Sequence, residues 1–115
     1  MIVTNTINLN SGTGNTVTNA YLKMTPFVHT IEVNGQVPCQ LDFYYSEGDA
    51  LVGASKIYPI SGLNLQSLIT TSTLQFADGE IVKAGTGCTM TNVFSYFKEK
   101  LAAKLLSDYG WTVTI

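Results

Sequence analysis

Apolar residues recur at helical spacing in one long stretch of this chain, residues 89–110, and at strand spacing through much of the rest. In TMTNVFSYFKEKLAAKLLSDYG, Val93, Phe94, Phe97, Leu101 and Leu105 fall on one stripe, the i, i+3/i+4 pattern of a helix with a buried face. Thr89 or Thr91 can cap its start, and Gly110 can stop it in a left-handed conformation. The spacing predicts a helix over about 91–109 and, from the alternation in WTVTI, a final strand over 111–115. Tyr96, Ala102, Ala103 and Leu106 lie off the main stripe, so the far side is not cleanly polar. A helix apolar on more than one side is buried on more than one side. The second cover comes either from a long loop such as residues 63–73 or from another subunit. Tyr96, Lys100, Ala103 and Leu106 are the residues that subunit would meet.

The remaining segments read as strands. Val3, Ile7 and Leu9 share one face of the first, and NSGTGN at 10–15 is a loop by composition. Residues 16–24 continue as a second strand that Pro26 breaks or bends. Residues 27–45 read as a hairpin about Asn34-Gly35. Matching the apolar faces there sets Val33 opposite Val37 and Ile31 opposite Cys39. Residues 46–49 read as a turn, and 50–60 as a strand interrupted by Gly53 and Pro59. Residues 63–73 suit either a helical turn or an extended chain. Residues 74–84 form a hairpin about Asp78-Gly79, with Leu74 and Phe76 facing Ile81 or Val82. The sum is an α+β fold in a single β-rich domain, 1–115. It is a mostly antiparallel sheet or two-sheet sandwich, with one long C-terminal helix packed across it and a short final strand.

Composition changes the picture in one respect. Charged residues are 12% of the chain, with six Lys, no Arg and a net charge of −2, against about 25% charged in ordinary domains. Thr, Asn, Ser and Gln must supply most of the polar surface, and a surface so poor in charge associates readily. Codon bias in an AT-rich genome gives the same composition, and the two readings are compatible. The segment MIVTNTINLN lacks the basic start and apolar run of a signal peptide. No apolar stretch approaches the ~20 residues that cross a bilayer, so no membrane association is expected. Cys39 and Cys88 are isolated and read as free thiols of a reducing compartment.

Candidate chemistry is thin. Cys88 follows Gly85-Thr86-Gly87 at the helix start, where backbone amides can lower a thiol pKa, and His29 could act as its base. A small buried thiol and a half-buried strand histidine account for the same residues. The glycines also suit anion binding, but the third glycine of a dinucleotide fingerprint and the Lys of a P-loop are absent. Asp42, Glu47 and Asp49, like Asp78 and Glu80, match no calcium loop. One histidine and two distant cysteines give no zinc pattern. No cofactor is expected, and no nucleic acid, given the acidic pI and the lack of arginine. Tyr44, Tyr45 and Tyr58 could make a sugar-stacking platform, or simply pack at strand edges.

The strand-rich character of residues 1–84, followed by the single helix 91–109 before WTVTI, resembles the small structural proteins of tailed-bacteriophage virions: tail, neck, baseplate or capsid-accessory subunits. The resemblance implies a non-enzymatic subunit, made in the host cytoplasm and resident in the virion. Its partners would be copies of itself, as a homo-oligomer, and other virion proteins. A carbohydrate- or protein-binding module and a Cys-dependent enzyme are the alternatives.

Overall fold

The computed structural model describes residues 1–10, 15–27, 35–61, 67–76 and 90–115. In chain order the elements are β1 (Ile2–Asn8), β2 (Thr16–Pro26), β3 (Gln36–Tyr44), α1 (Glu47–Leu51), β4 (Ile60–Ser61), β5 (Ser67–Leu68), β6 (Thr71–Gln75), α2 (Met90–Tyr109) and β7 (Val113–Thr114). Five strands form an antiparallel sheet in the order β6-β3-β2-β1-β7, and β4 pairs with β5 beside it. The fold is α+β, with one long helix laid across the sheet.

Period-two alternation decides which sheet face the helix covers. Leu22 pairs with Phe43 and Met24 with Leu41, and all four side chains are buried together with Val3, Ile7, Val37, Cys39 and Leu74. Phe97, Leu101 and Leu105 of α2 close over them, each contributing roughly 1.5–3 kcal/mol by burial. Phe97 meets Phe76 edge-on at 5.3 Å, and Trp111 meets Phe43 edge-on at 6.0 Å, the geometry aromatic quadrupoles favour. The opposite face carries Thr4, Thr6, Thr18, Lys23, Thr25, Thr71 and Thr73, all exposed. Gly110 ends α2 at φ 72°, its N–H donating to the Leu106 carbonyl at 2.9 Å, a left-handed helix stop. The chain then returns to the sheet, pairing Val113 with Val3.

Four expectations need correction. Cys39 lies between Pro26 and Ser72, not opposite Ile31; Val33, expected opposite Val37, lies outside the described residues. Strand β2 runs on to Pro26 and takes β3 as its partner, with Leu22 against Phe43 and Met24 against Leu41 on the buried face. Residues 46–49 open a helix rather than a turn: the Ser46 hydroxyl accepts from the Asp49 N–H at 3.1 Å, an N-cap. Residues 50–60 are not a continuous strand, since α1 takes their start, single bridges follow from Ile57 to Phe43 and from Pro59 to Leu9, and only Ile60 enters a strand, β4. The buried stripe of α2 excludes Phe94, 37% exposed, which sits over a groove at the sheet margin. The proposed Asn34-Gly35 and Asp78-Gly79 turns rest in large part on residues outside those described.

Candidate functional site

His29, Cys88 and the glycines at 85 and 87 lie outside the described residues, as do Asp78 and Glu80. Among the described residues, no group of three or more His, Cys, Asp or Glu could hold a metal ion, and no helix is long and apolar enough to cross a membrane. Cys39 is buried in the core, and burial pushes its thiol pKa up to about 11, so it stays protonated and unreactive at neutral pH.

Besides a cleft of about 430 Å³ lined by Ile7, Ile60, Asp108 and Trp111, there are two smaller ones. The first, about 290 Å³, opens where the neighbour of β3 changes from β6 to the segment around Ile57. The Asp42 carboxylate is held there by Lys56 Nζ at 3.1 Å and by Gln40 Nε2 at 3.1 and 3.2 Å. The hydrogen bond and negative charge of Asp42 raise the Lys56 pKa. Tyr58 lines the same cleft. Tyr44 is buried while Tyr45 and Tyr58 are exposed, so the three tyrosines do not make one stacking platform.

The second cleft, about 270 Å³, is an apolar groove walled by Met1, Leu22, Met24, Phe94 and Leu51. Of the two lysines that border it, Lys98 stands on the helix side, whereas Lys23 projects from the other face of β2. Lys98 Nζ lies 4.8 Å from the centre of the Phe94 ring, a contact that fixes the ammonium at the lip. Beside the groove, Leu51 and Val52 are each 80% exposed, the most exposed large apolar side chains described. Sequence reading missed this site because it took residues 46–49 as a turn. The signal that could have found it is Ser46-x-x-Asp49, a helix start that throws the following Leu and Val outward.

The four candidate interface residues on α2 divide into two pairs. Tyr96 is half-buried with its ring 6.1 Å from that of Phe76. Lys100 Nζ donates to the Gln75 carbonyl at 3.3 Å and lies 5.1 Å from the centre of the Phe76 ring. Both serve contacts within the chain. Ala103 and Leu106 face outward, Leu106 at 56% exposure, and Glu99 stands in the same row at i, i+4, i+7 spacing. No protein-family model matches this chain, and no curated protein or solved structure does either.

Proposed function

We propose that this chain is a non-enzymatic assembly subunit working through protein–protein contacts, of the kind that builds the tail, neck, baseplate or capsid-accessory layers of a tailed-bacteriophage virion. The observation that carries the reading is the pair Leu51 and Val52, each 80% exposed beside an apolar groove, on a chain only 12% charged. Contiguous exposed apolar surface on a soluble domain marks an interaction site, and sparse like charge does little to hold copies apart. The strand-rich body crossed by one helix supports the virion assignment by resemblance of architecture. Light scattering across concentration tests the reading: the expected mass exceeds the 12.4 kDa of one chain, and electron micrographs of the concentrated protein show rings or tubes. A strict monomer at high concentration would count against it.

The Asp42–Lys56–Gln40 cluster at the first cleft favours a second reading, a small binding module for a polar ligand such as a sugar. A glycan array with no bound member removes that reading.

A further inference from the structure

The cleft of about 430 Å³ opens at the outer edge of β1, and its size falls within the roughly 300–1,000 Å³ of small-molecule sites. Strand β1 is bulged between Val3 and Thr6, where Asn19 of β2 takes φ 61°, and a bulge re-aims a strand edge. Before the bulge the edge is covered. Thr4 N–H donates to the Thr112 carbonyl at 3.0 Å, and the Asn5 side-chain carbonyl accepts from the Thr112 N–H at 2.6 Å. Farther on, Leu9 bridges to Pro59, and Asn10 N–H donates to the Tyr58 carbonyl at 2.9 Å. Between these covers the edge is open. Leu9 N–H donates to the Asn15 carbonyl at 2.9 Å and Ile7 stands opposite Val17. Backbone direction alternates along a strand, so Thr6 turns its N–H and C=O away from β2 and into the cleft. Neither meets a neighbouring strand among the described residues, and the Thr6 hydroxyl is bonded to that of Thr18 at 2.6 Å.

Around that donor–acceptor pair stand Ser61 of β4, Asp108 and Tyr109 at the end of α2, and Trp111. Tyr109 is 37% exposed, and its ring lies 4.8 Å from that of Trp111, an aromatic wall backed by the core. Burial and the Asp108 charge raise the Tyr109 pKa, so the phenol stays neutral and Asp108 is the one charged residue lining the cleft. Asp108 pairs with Lys104 at 3.1 Å, an exposed pair that leaves the carboxylate able to accept further hydrogen bonds. From this arrangement we infer that the cleft binds a neutral sugar ring. The adjacent N–H and C=O of Thr6 call for an acceptor beside a donor, which a vicinal diol supplies. Asp108 accepts from further hydroxyls and repels anionic ligands. The negative face of the Tyr109 ring packs against sugar C–H groups. Polar groups reach the cleft from three elements around one aromatic wall, which suits a ring with hydroxyls all round it. A nucleobase instead carries its polar atoms in one plane and stacks on both faces. An extended peptide needs an edge that runs on, and here β7 and the Tyr58 segment block both ends.

This site is separate from Leu51 and Val52, so the inference and the assembly reading fail independently. The test titrates the isotope-labelled full chain with glucose, galactose, mannose, N-acetylglucosamine and fucose, followed by proton–nitrogen correlation spectra. At least one sugar is expected to shift, saturably, the backbone amides of Thr6, Ser61 and Tyr109 and the indole N–H of Trp111. Asp108→Ala, at an exposed position, is expected to stay folded by circular dichroism and to weaken that binding about tenfold or more, the loss of hydrogen bonds to a charged acceptor. Lys104→Ala breaks the same ion pair but keeps the carboxylate, and binds the sugar undiminished. Four results overturn the inference: no response to any of the sugars, full-strength binding by Asp108→Ala, shifts gathered on Gln40, Lys56 and Tyr58 instead, or adenosine moving the cleft resonances where no sugar does. A chain that stays monomeric yet binds sugar here overturns the assembly reading alone.

Discussion

Gly35 sits just before β3 at φ 78°, a backbone region L residues avoid, and its carbonyl accepts from the Phe76 N–H at 3.0 Å. A Cβ there would press into the Phe76 carbonyl oxygen. Gly35→Ala is therefore expected to cost about 1–3 kcal/mol, read as a lower denaturant midpoint with an unchanged slope. Cys39 makes a second prediction at this scale. Its thiol is raised to about 11 by burial, so between about pH 9 and pH 11 the unfolded chain releases a proton that the folded chain retains. Stability on this account is full below pH 9 and falls as pH climbs through that window. Peptide mapping after iodoacetamide at pH 8 is expected to find Cys39 unmodified in the native protein and modified in urea. Labelling of the native thiol at the urea rate would contradict the burial.

Within α2, the inward and outward rows make unlike demands on their residues. Leu101 and Leu105 are fully buried whereas Leu106 is 56% exposed. Leu101→Ala is expected to destabilise the fold by about 2–5 kcal/mol through lost burial and the cavity left behind. Leu106→Ala is expected to stay within about 0.5 kcal/mol in the monomer and to act on association instead. Thermal melts at low concentration separate the two effects. The Lys104–Asp108 pair at 3.1 Å is substantially exposed and adds only a few tenths of a kcal/mol. The stop at Gly110, φ 72°, matters more, since any L residue there meets a left-handed backbone at roughly 1–2 kcal/mol.

For the molecule as a whole, the division of faces sets the mode of association. The helix shields one sheet face, the other carries threonines together with the cross-strand row Ile2, Tyr21 and Tyr44, and exposed Leu51 and Leu106 lie at the helix side. Association through those residues is mainly apolar. Raising salt to about 1 M, where the screening length shrinks to about 3 Å, is expected to weaken it only slightly, and cooling to weaken it more. A steep loss with salt, measured by sedimentation, would point to a contact dominated by charge.

Much of what the residues announced locally is what the molecule shows, though not at 46–49, where the Ser46 cap opens a helix, nor at Phe94, which is exposed. The stripe Phe97, Leu101, Leu105, the left-handed Gly110 and the alternation in β1 and β3 are each decided by side chains within a few positions of one another, and the helix across an antiparallel sheet follows from them. Strand partnership was not legible. Cys39 stands beside Pro26 because of the register that the buried faces of β2 and β3 set between them, and beside Ser72 because β6, far along the chain, takes the other edge of β3. The groove was hidden for the same reason. Met1, Leu22, Leu51 and Phe94 are ordinary apolar residues far apart in the chain, and only the folding of α1 against β2 and β3, beneath the first described turn of α2, left them facing one another with Leu51 and Val52 in water.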